Sequence, residues 1–186
     1  LARMACRTVM DEIFNCLTAW LAPMLCFTME EIWQTRYGDE NRSVHLRQFP
    51  DIPKDWKNPD LEARWESIKS VRKVVTGALE IERREKRIGS SLEAAPIVFI
   101  EDEKLRQLIQ GEQMADICIT SQIDIRSGPI PKDCFTLDDV AGIGVQPALA
   151  VGRKCQRSWK ILPEVGTDAD HPDLTLRDAQ AVKEFD

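Results

Sequence analysis

The sequence predicts an α+β protein, with a helical N-terminal domain over residues 1–90 and a small mixed domain over residues 91–186. Up to about residue 88, apolar side chains recur every three or four residues, which is typical of amphipathic helices. Farther on, short runs rich in β-branched residues indicate strands. Glycine, proline and aspartate are frequent after residue 126, where we expect irregular structure. The pattern changes between Gly89 and Pro96, which places the domain boundary there.

Residues 3–37 are predicted to form two helices that are separated by Pro23. Thr28 and Glu31 have the spacing of a capping box, so the second helix is expected to begin at Thr28 and to end near Gly38. The apolar positions that indicate the first helix are Val9, Ile13, Phe14, Leu17, Trp20 and Leu21.

A connection over residues 39–59, with an extended piece at 43–49, leads to a long helix. Its prolines prevent regular helix, and the long helix is predicted from Asp60 to about Ile88, with Gly89 as its stop. The later predicted elements are a strand at 97–100, a helix at 101–110, and strands at 117–119, 123–125 and 145–151.

The composition excludes several classes of protein. The chain has 186 residues, a formal net charge of −6, 43% hydrophobic residues and 30% charged residues, which excludes a disordered chain. No apolar run reaches the roughly 18 residues of a membrane span. The chain starts at Leu1 inside a helical pattern and shows no signal peptide, so we expect a cytoplasmic piece of a longer protein, truncated at its N-terminus. Six widely spaced cysteines favour a reducing compartment.

No motif indicates a catalytic site. Neither His45 nor His171 has a nucleophile motif beside it, and the patterns G-x-S-x-G, H-E-x-x-H and the P-loop do not occur. Gly142 and Gly144 begin like a dinucleotide-binding loop, but Pro147 stands where the third glycine is needed. We therefore predict no catalytic residue in this chain.

Two segments hold more cations than acids. Between Arg64 and Arg87 there are eight basic and four acidic residues, and residues 153–160 hold four basic residues and no acidic one. The second segment also contains Trp159, and a tryptophan among cations can stack on an unpaired base while the cations bind phosphate. Composition alone also fits two interpretations without RNA. The first segment can be an ordinary solvated helix face, and the second a half-buried tryptophan with cations at its rim.

Segments that follow one another along nearly the whole chain resemble the isoleucyl-tRNA synthetases, a family of class I aminoacyl-tRNA synthetases. Leu21–Trp33 (LAPMLCFTMEEIW) resembles the pattern L-x-P-x-x-P-F-T-x-E-E-x-W of the helical anticodon-binding domain, which also fits the valine and leucine enzymes. Ser43–Pro50 (SVHLRQFP) is similar to the crossing after that helix. Trp65–Ala94, which ends in KRIGSSLEA, is similar to the long helix and the K-x-I-G-x-S-L-E-A turn of the isoleucine enzyme. Val151–Trp159 (VGRKCQRSW) is similar to its terminal K-C-x-R-C-W module.

The resemblance implies an anticodon-binding helical domain, a small α+β junction and a C-terminal tRNA-binding module. The implied partners are isoleucine tRNA and the remainder of a monomeric synthetase chain, with no membrane. The signature motifs of the catalytic nucleotide-binding fold and the editing domain are missing from this sequence, so ATP and Mg²⁺ would belong to the rest of the ligase. The resemblance and the basic segments together give the expected tRNA contacts Arg72, Arg83, Arg84, Lys86, Arg87, Arg153, Lys154, Arg157, Trp159 and Lys160.

The sequence departs from the family in the zinc module, which usually contains C-x-x-C twice. Cys155 is kept, but Ser158 takes the second position, and Thr175 and Asp178 stand where the second pair is expected. One thiolate cannot hold a structural zinc ion, so we expect the module to fold without a metal or other cofactor. The apolar core expected to replace the metal comprises Ile161, Leu162, Pro163, Val165, Leu174 and Val182.

An alternative function is a helical scaffold that binds protein and no RNA. The net charge of −6 and the acidic tail after Glu164 support it. Salt dependence separates the two hypotheses, because phosphate binding weakens steeply with salt and an apolar groove does not.

Overall fold

A computed structural model of the chain describes residues 2–38 and 43–184, which divide into two compact units, one before and one after the Asn58–Pro59 bond. The α-helices are α1 (Ala2–Leu21), α2 (Cys26–Tyr37), α3 (Pro59–Arg84), α4 (Glu103–Ile109), α5 (Met114–Cys118) and α6 (Leu176–Lys183). The strands are β1 (Ile97–Ile100), β2 (Asp124–Ser127), β3 (Phe135–Leu137), β4 (Val140–Gln146), β5 (Arg153–Lys154) and β6 (Ile161–Leu162). Short 3₁₀ turns cover Val44–Leu46, Lys54–Trp56 and Ser91–Glu93. Within the described ranges, no helix is both long enough and apolar enough to cross a bilayer.

In the first unit, α1 and α2 pack together with the first 3₁₀ turn. Met29 and Val44 are buried in the small core between them. The Glu30 carboxylate accepts hydrogen bonds from the Ser43 hydroxyl at 2.8 Å and from the Val44 amide at 2.9 Å, which fixes the turn against α2. This turn replaces the extended piece predicted at 43–49.

The capping box predicted at Thr28 is wrong, because α2 begins two residues earlier, at Cys26. Its N-cap residue is Leu25, whose side chain offers no hydrogen-bond acceptor. The predicted C-terminal cap is confirmed: Gly38 has a φ of 78° and its amide donates to the Gln34 carbonyl at 2.7 Å.

In the second unit, α3 packs on a four-stranded sheet with the strand order β2-β1-β4-β3. β1 runs parallel to β2 and antiparallel to β4, and β3 runs antiparallel to β4. The strand predicted at 97–100 is confirmed with the same bounds. The buried residues between helix and sheet include Ile68, Val71, Val74, Val75, Ala78, Leu79, Val98, Ile100, Ile143 and Val145.

The long helix ends before Gly89, the predicted stop. The Arg87 amide donates to the Glu82 carbonyl at 2.9 Å, and the Lys86 amide donates to the Arg83 carbonyl at 3.0 Å. These are the two bonds of a Schellman cap, in which one residue must adopt the left-handed conformation. Lys86 is that residue, with a φ of 59°. The helix is therefore ended by a lysine in the left-handed conformation and not by Gly89, as the sequence predicts.

The strand predicted at 117–119 is wrong, because this segment ends the short helix α5. The Ile117 amide donates to the Gln113 carbonyl at 3.0 Å, which is a helical bond. Met114 and Cys118 are buried in the core beside α3, and this packing overrides the β-preference of the isoleucines. Ile119 then ends the helix in a left-handed conformation, with a φ of 57°.

Residues 126–186 hold more regular structure than the sequence predicts. The strand predicted at 145–151 overlaps only the end of β4. Gly142 and Gly144 lie inside β4, and a Cβ at Gly144 would stand 2.3 Å from Ile130 Cγ2. These glycines therefore allow close packing of the sheet and form no nucleotide-binding loop.

The C-terminal module consists of the β5–β6 hairpin, the turn that connects the two strands, and α6. Ser121 attaches the hairpin to the rest of the unit: its hydroxyl accepts from the Ile161 amide at 2.6 Å and donates to the Leu92 carbonyl at 2.5 Å. Of the residues predicted to form an apolar core here, Val165 is buried, Pro163 is exposed and the others are partly buried.

The predicted fold class is confirmed, since a helical N-terminal part precedes a mixed sheet with helices. The two compact units divide the chain after residue 58, because α3 packs on the sheet of the second unit. The domain division between residues 90 and 91 stays a prediction.

Candidate nucleic-acid interface

The turn between β5 and β6 presents the second basic segment. The Cys155 amide donates to the Lys160 carbonyl at 2.8 Å, and the Trp159 amide donates to the Cys155 carbonyl at 3.0 Å. The Ser158 amide donates to Cys155 Sγ at 3.5 Å. Cys155 is thereby buried at the centre of the turn, while Arg157 and Trp159 are exposed on its outside.

Trp159 is the one exposed aromatic residue of this turn, with 61% of its surface accessible. Its φ of 63° is uncommon for a bulky residue and is held by the hydrogen bonds of the turn. Lys154 Nζ lies 5.4 Å from the centroid of the Trp159 ring. Arg153, the residue before Lys154 in the chain, is also exposed. An exposed ring with a cation beside it is suited to stack on an unpaired base.

Four side chains meet inside the module, around the buried sulfur of Cys155. The Cys155 thiol donates to Asp178 Oδ2 at 3.2 Å, and the Thr175 amide donates to Cys155 Sγ at 3.4 Å. The Thr175 hydroxyl also donates to Asp178 Oδ2 at 2.9 Å. Ser158 completes the group: its amide donates to Cys155 Sγ, and its hydroxyl is buried without a hydrogen-bond partner among the described residues. We call these four residues the Cys155 cluster.

Asp178 is ionised more readily than an ordinary aspartate. Burial raises the pKa of its carboxyl, but contacts with Ser158, Cys155 and Thr175 and the charge of Arg157 together hold that pKa below its usual value. Arg157 Nε lies 3.9 Å from Asp178 Oδ1. The carboxylate therefore links the interior of the module to an exposed cation.

The donors of the Cys155 cluster do not fit a structural zinc ion. Such sites close four thiolate or imidazole ligands around the metal, whereas this cluster holds one thiol, one carboxylate and two hydroxyls. Across residues 2–38 and 43–184, no three His, Cys, Asp or Glu side chains converge as a metal site would require. The metal-free module stays a prediction.

Two of the four cations at the end of α3 are paired with carboxylates. Arg87 pairs with Glu82 at 2.6 Å and with Glu85, and Arg83 pairs with Glu80 at 2.5 Å. The hydrogen bonds that Arg87 donates to the Glu82 carboxylate raise the pKa of Arg87. The other ion pairs of this helix join Arg64 to Glu112, Lys69 to Glu66 and Lys73 to Asp139. Glu112 and Asp139 lie outside residues 64–87, so these two carboxylates make the positive excess of the helix weaker than the charge count of that segment predicts.

Four of the predicted cations remain open to a ligand. Arg84 and Lys86 at the end of α3, and Arg153 and Lys154 on β5, are exposed and form no ion pair with any residue that the structure describes. These four cations are the residues best placed to bind phosphate, whereas Arg157 lies 3.9 Å from the Asp178 carboxylate.

Arg72 and Lys160 serve mainly to join parts of the second unit. Arg72 Nε donates to the Ile117 carbonyl at 3.0 Å, and Lys160 pairs with Asp116. The structure thus brings one residue from each basic segment to α5. Their cationic heads are less available to RNA than those of the four open cations.

A groove in the first unit has a different chemistry. It has a volume of about 750 Å³ and lies between α1 and the second 3₁₀ turn. Its apolar lining includes Val9, Ile13, Leu17, Trp20 and Trp56, and no lysine or arginine lines it. The groove is therefore unsuited to a phosphate backbone.

The sequence alone misses two features of the site. The ion pairs of Arg87 and Lys160 join residues whose approach depends on a helix cap and on tertiary packing. The second feature is the role of Gly152. Its φ of 131° is one that glycine adopts readily, and the absence of a side chain lets the start of β5 approach β6 closely. The only signal of this close approach in the sequence is a lone glycine directly before two cations.

The helical first unit and the exposed basic turn are features expected of an RNA-binding protein, and comparison with known proteins gives the family. Residues 2–99 match the anticodon-binding domain of tRNA ligases, and the chain belongs to that family. It is 55% identical over 185 residues to isoleucine–tRNA ligase of Agrobacterium fabrum, covering 100% of this chain and 19% of that ligase. The corresponding ligase of Bartonella henselae is 54% identical over 183 residues, covering 98% of this chain and 19% of the ligase. The isoleucine–tRNA ligase of Ruegeria pomeroyi is 52% identical over 167 residues, covering 90% of this chain and 17% of that ligase.

The predicted resemblance to isoleucyl-tRNA synthetases is thus confirmed: the chain is the anticodon-binding region of an isoleucine–tRNA ligase. It spans only about a fifth of the length of these relatives, 19% of the first two.

Proposed function

We propose that this chain binds isoleucine tRNA through its anticodon arm, with Trp159 stacking on a loop base and the open cations binding phosphates. The observation that supports this most directly is the exposed Trp159 ring, held in a left-handed turn beside Lys154. Arg153 on β5 and Arg157 in the turn are both exposed and add positive charge to the same hairpin. Base stacking and phosphate contacts are the two main contributions to recognition of single-stranded RNA.

The remaining cations would extend this contact. Arg84 and Lys86, exposed at the end of α3, are proposed to bind backbone phosphates. Arg83 and Arg87 are proposed to contribute less, because glutamates already neutralise them. Arg72 and Lys160 are proposed mainly to position the two basic segments through α5.

The wider function rests on the similarity to whole ligases. We propose that the parent protein is a monomeric, cytoplasmic isoleucine–tRNA ligase, which joins isoleucine to its tRNA with ATP and Mg²⁺. The chemistry would belong to regions of the ligase that correspond to other parts of these relatives, and the present chain would check the anticodon without a metal or other cofactor.

A binding titration tests this function. The 186-residue chain is mixed with isoleucine tRNA or with a tRNA for another amino acid, at several salt concentrations. We expect preference for isoleucine tRNA and an affinity that falls steeply as salt rises, because phosphate contacts release counterions. Equal affinity for both tRNAs would contradict anticodon recognition. An affinity that does not change with salt concentration would favour the protein-binding scaffold.

The two pairs of cations at the end of α3 provide a matched test. Replacing both Arg84 and Lys86 with glutamine is expected to weaken tRNA binding by about tenfold and to lower the salt slope by roughly two. Replacing Arg83 and Arg87 with glutamine removes the same charge from the same helix end, but from cations that already have carboxylate partners. We expect that control to change affinity by about twofold. A larger loss in the control than in the first variant would contradict the proposed role of the open cations.

A further inference from the structure

The four positions of the Cys155 cluster have the spacing of a metal module. Residues 155 and 158 are three apart, as are 175 and 178, and sixteen residues lie between the two pairs. C-x-x-C pairs at such a separation commonly hold zinc. Here Ser158, Thr175 and Asp178 occupy the positions of three of the four ligands.

The structure brings these four positions together although three ligands are missing. The Asp178 carboxylate and the Ser158 and Thr175 amides all lie within 3.5 Å of Cys155 Sγ. Cys155 has no accessible surface, and Thr175 is 4% exposed. The convergence therefore does not need the ligands that a metal would demand.

We infer that the Cys155 cluster replaces the metal as the cross-link between the β5–β6 turn and α6. The Cys155 thiol donates a hydrogen bond to Asp178 Oδ2 at 3.2 Å, and this bond takes the place of one metal–sulfur bond. Thr175 contributes twice, because its hydroxyl donates to the Asp178 carboxylate and accepts from the Asp178 amide at 3.1 Å. The second of these bonds also caps α6, so the cluster and the helix start form one unit.

The same contacts explain why a metal would be a poor occupant. A zinc ion would require the thiol proton to leave and would gain two hydroxyl oxygens, which are weak zinc ligands. The hydrogen bonds among Cys155, Thr175 and Asp178 would have to break at the same time. The cluster as built thus favours the metal-free state.

The first test measures metal content and chelator sensitivity of the 186-residue chain. After purification and incubation with excess zinc followed by desalting, we expect less than about one metal ion per ten chains. The melting temperature should be the same with and without EDTA. One bound zinc per chain, or a melting temperature that EDTA lowers, would overturn the inference.

The second test removes the carboxylate. Asp178→Ala leaves a buried thiol and a buried hydroxyl without their acceptor, and we expect the melting temperature to fall by roughly 5 °C. Asp173→Ala, an exposed aspartate in the same loop, is the matched control and should shift it by less than about 1 °C. Equal melting of the two variants would contradict a cross-linking role for Asp178.

The third test restores the missing ligands. The triple substitution Ser158→Cys, Thr175→Cys and Asp178→Cys, refolded with one equivalent of Zn²⁺, is expected to bind one zinc per chain. Its melting temperature should then depend on EDTA, unlike that of the parent chain. A variant that refolds in the presence of zinc and holds none would show that the four positions do not form a metal-like cross-link. A variant that aggregates both with and without zinc would also count against it.

Discussion

Replacing Trp159 with alanine is expected to weaken the binding of isoleucine tRNA by about tenfold to a hundredfold. Loss of one base–aromatic stack costs about 1–3 kcal/mol, and about 1.4 kcal/mol corresponds to a factor of ten in affinity. Trp159 is 61% exposed, so little buried area is lost from the folded chain and its stability should change little. Titration with labelled tRNA and a thermal melt of the same variant measure both quantities.

Two further variants separate stacking from a general effect of losing a tryptophan. Trp159→Phe keeps an aromatic face and should restore most of the affinity. Trp65→Ala removes another partly exposed tryptophan of the same unit, on α3, and should leave tRNA binding within about twofold. Affinity that is unchanged in Trp159→Ala would contradict the assignment of a base contact to this residue.

The sequence predicts the location of the site better than the state of its charges. Trp159 and its neighbouring cations stand out because they are adjacent in the chain, and a tight turn keeps adjacent residues close in space. The neutralisation of Arg87 by Glu82 does not stand out, because the two are five residues apart and meet only through the cap at Lys86. The net charge of the segment counts both residues, but it does not show that they pair with each other.

The errors in secondary structure have a similar cause. The segment 117–119 has β-branched residues in alternation, yet the burial of Met114 and Cys118 beside α3 makes it the end of a helix. By contrast, the strand at 97–100 is predicted with correct bounds, because it lies in the sheet core, where local preference and tertiary packing agree.

The Cys155 cluster shows what substitution patterns alone leave out. The resemblance to the family implies that Ser158, Thr175 and Asp178 stand where metal ligands are expected, and the sequence analysis predicts an apolar core as compensation. In the structure, most of those apolar residues are only partly buried, and a polar network joins the same four positions. Such a network depends on distances of about 3 Å between residues twenty positions apart, which no sequence pattern specifies.

Replacing Gly152 with alanine is expected to have the largest effect on stability, because this residue has no room for a side chain. A Cβ there would stand 2.3 Å from the Leu162 carbonyl carbon and 2.4 Å from its oxygen, across the β5–β6 hairpin. Its φ of 131° also lies in a region that residues other than glycine rarely adopt. Backbone strain of about 1–3 kcal/mol adds to a clash of similar size, so we expect a loss of roughly 3 kcal/mol or more in the free energy of unfolding.

The consequence for tRNA follows from the position of Gly152 directly before Arg153 and Lys154. If the hairpin opens, the turn that holds Trp159 loses the β6 strand opposite it, and affinity should fall at least as far as in Trp159→Ala. Gly111→Ala is the matched control, because no atom lies within 4 Å of the added Cβ, and it should change stability by less than about 0.5 kcal/mol. Urea denaturation and tRNA titration of both variants test this. A Gly152→Ala protein with the parent's unfolding midpoint and affinity would mean that the hairpin accommodates a side chain at this position and that its close approach does not hold the tRNA-binding turn.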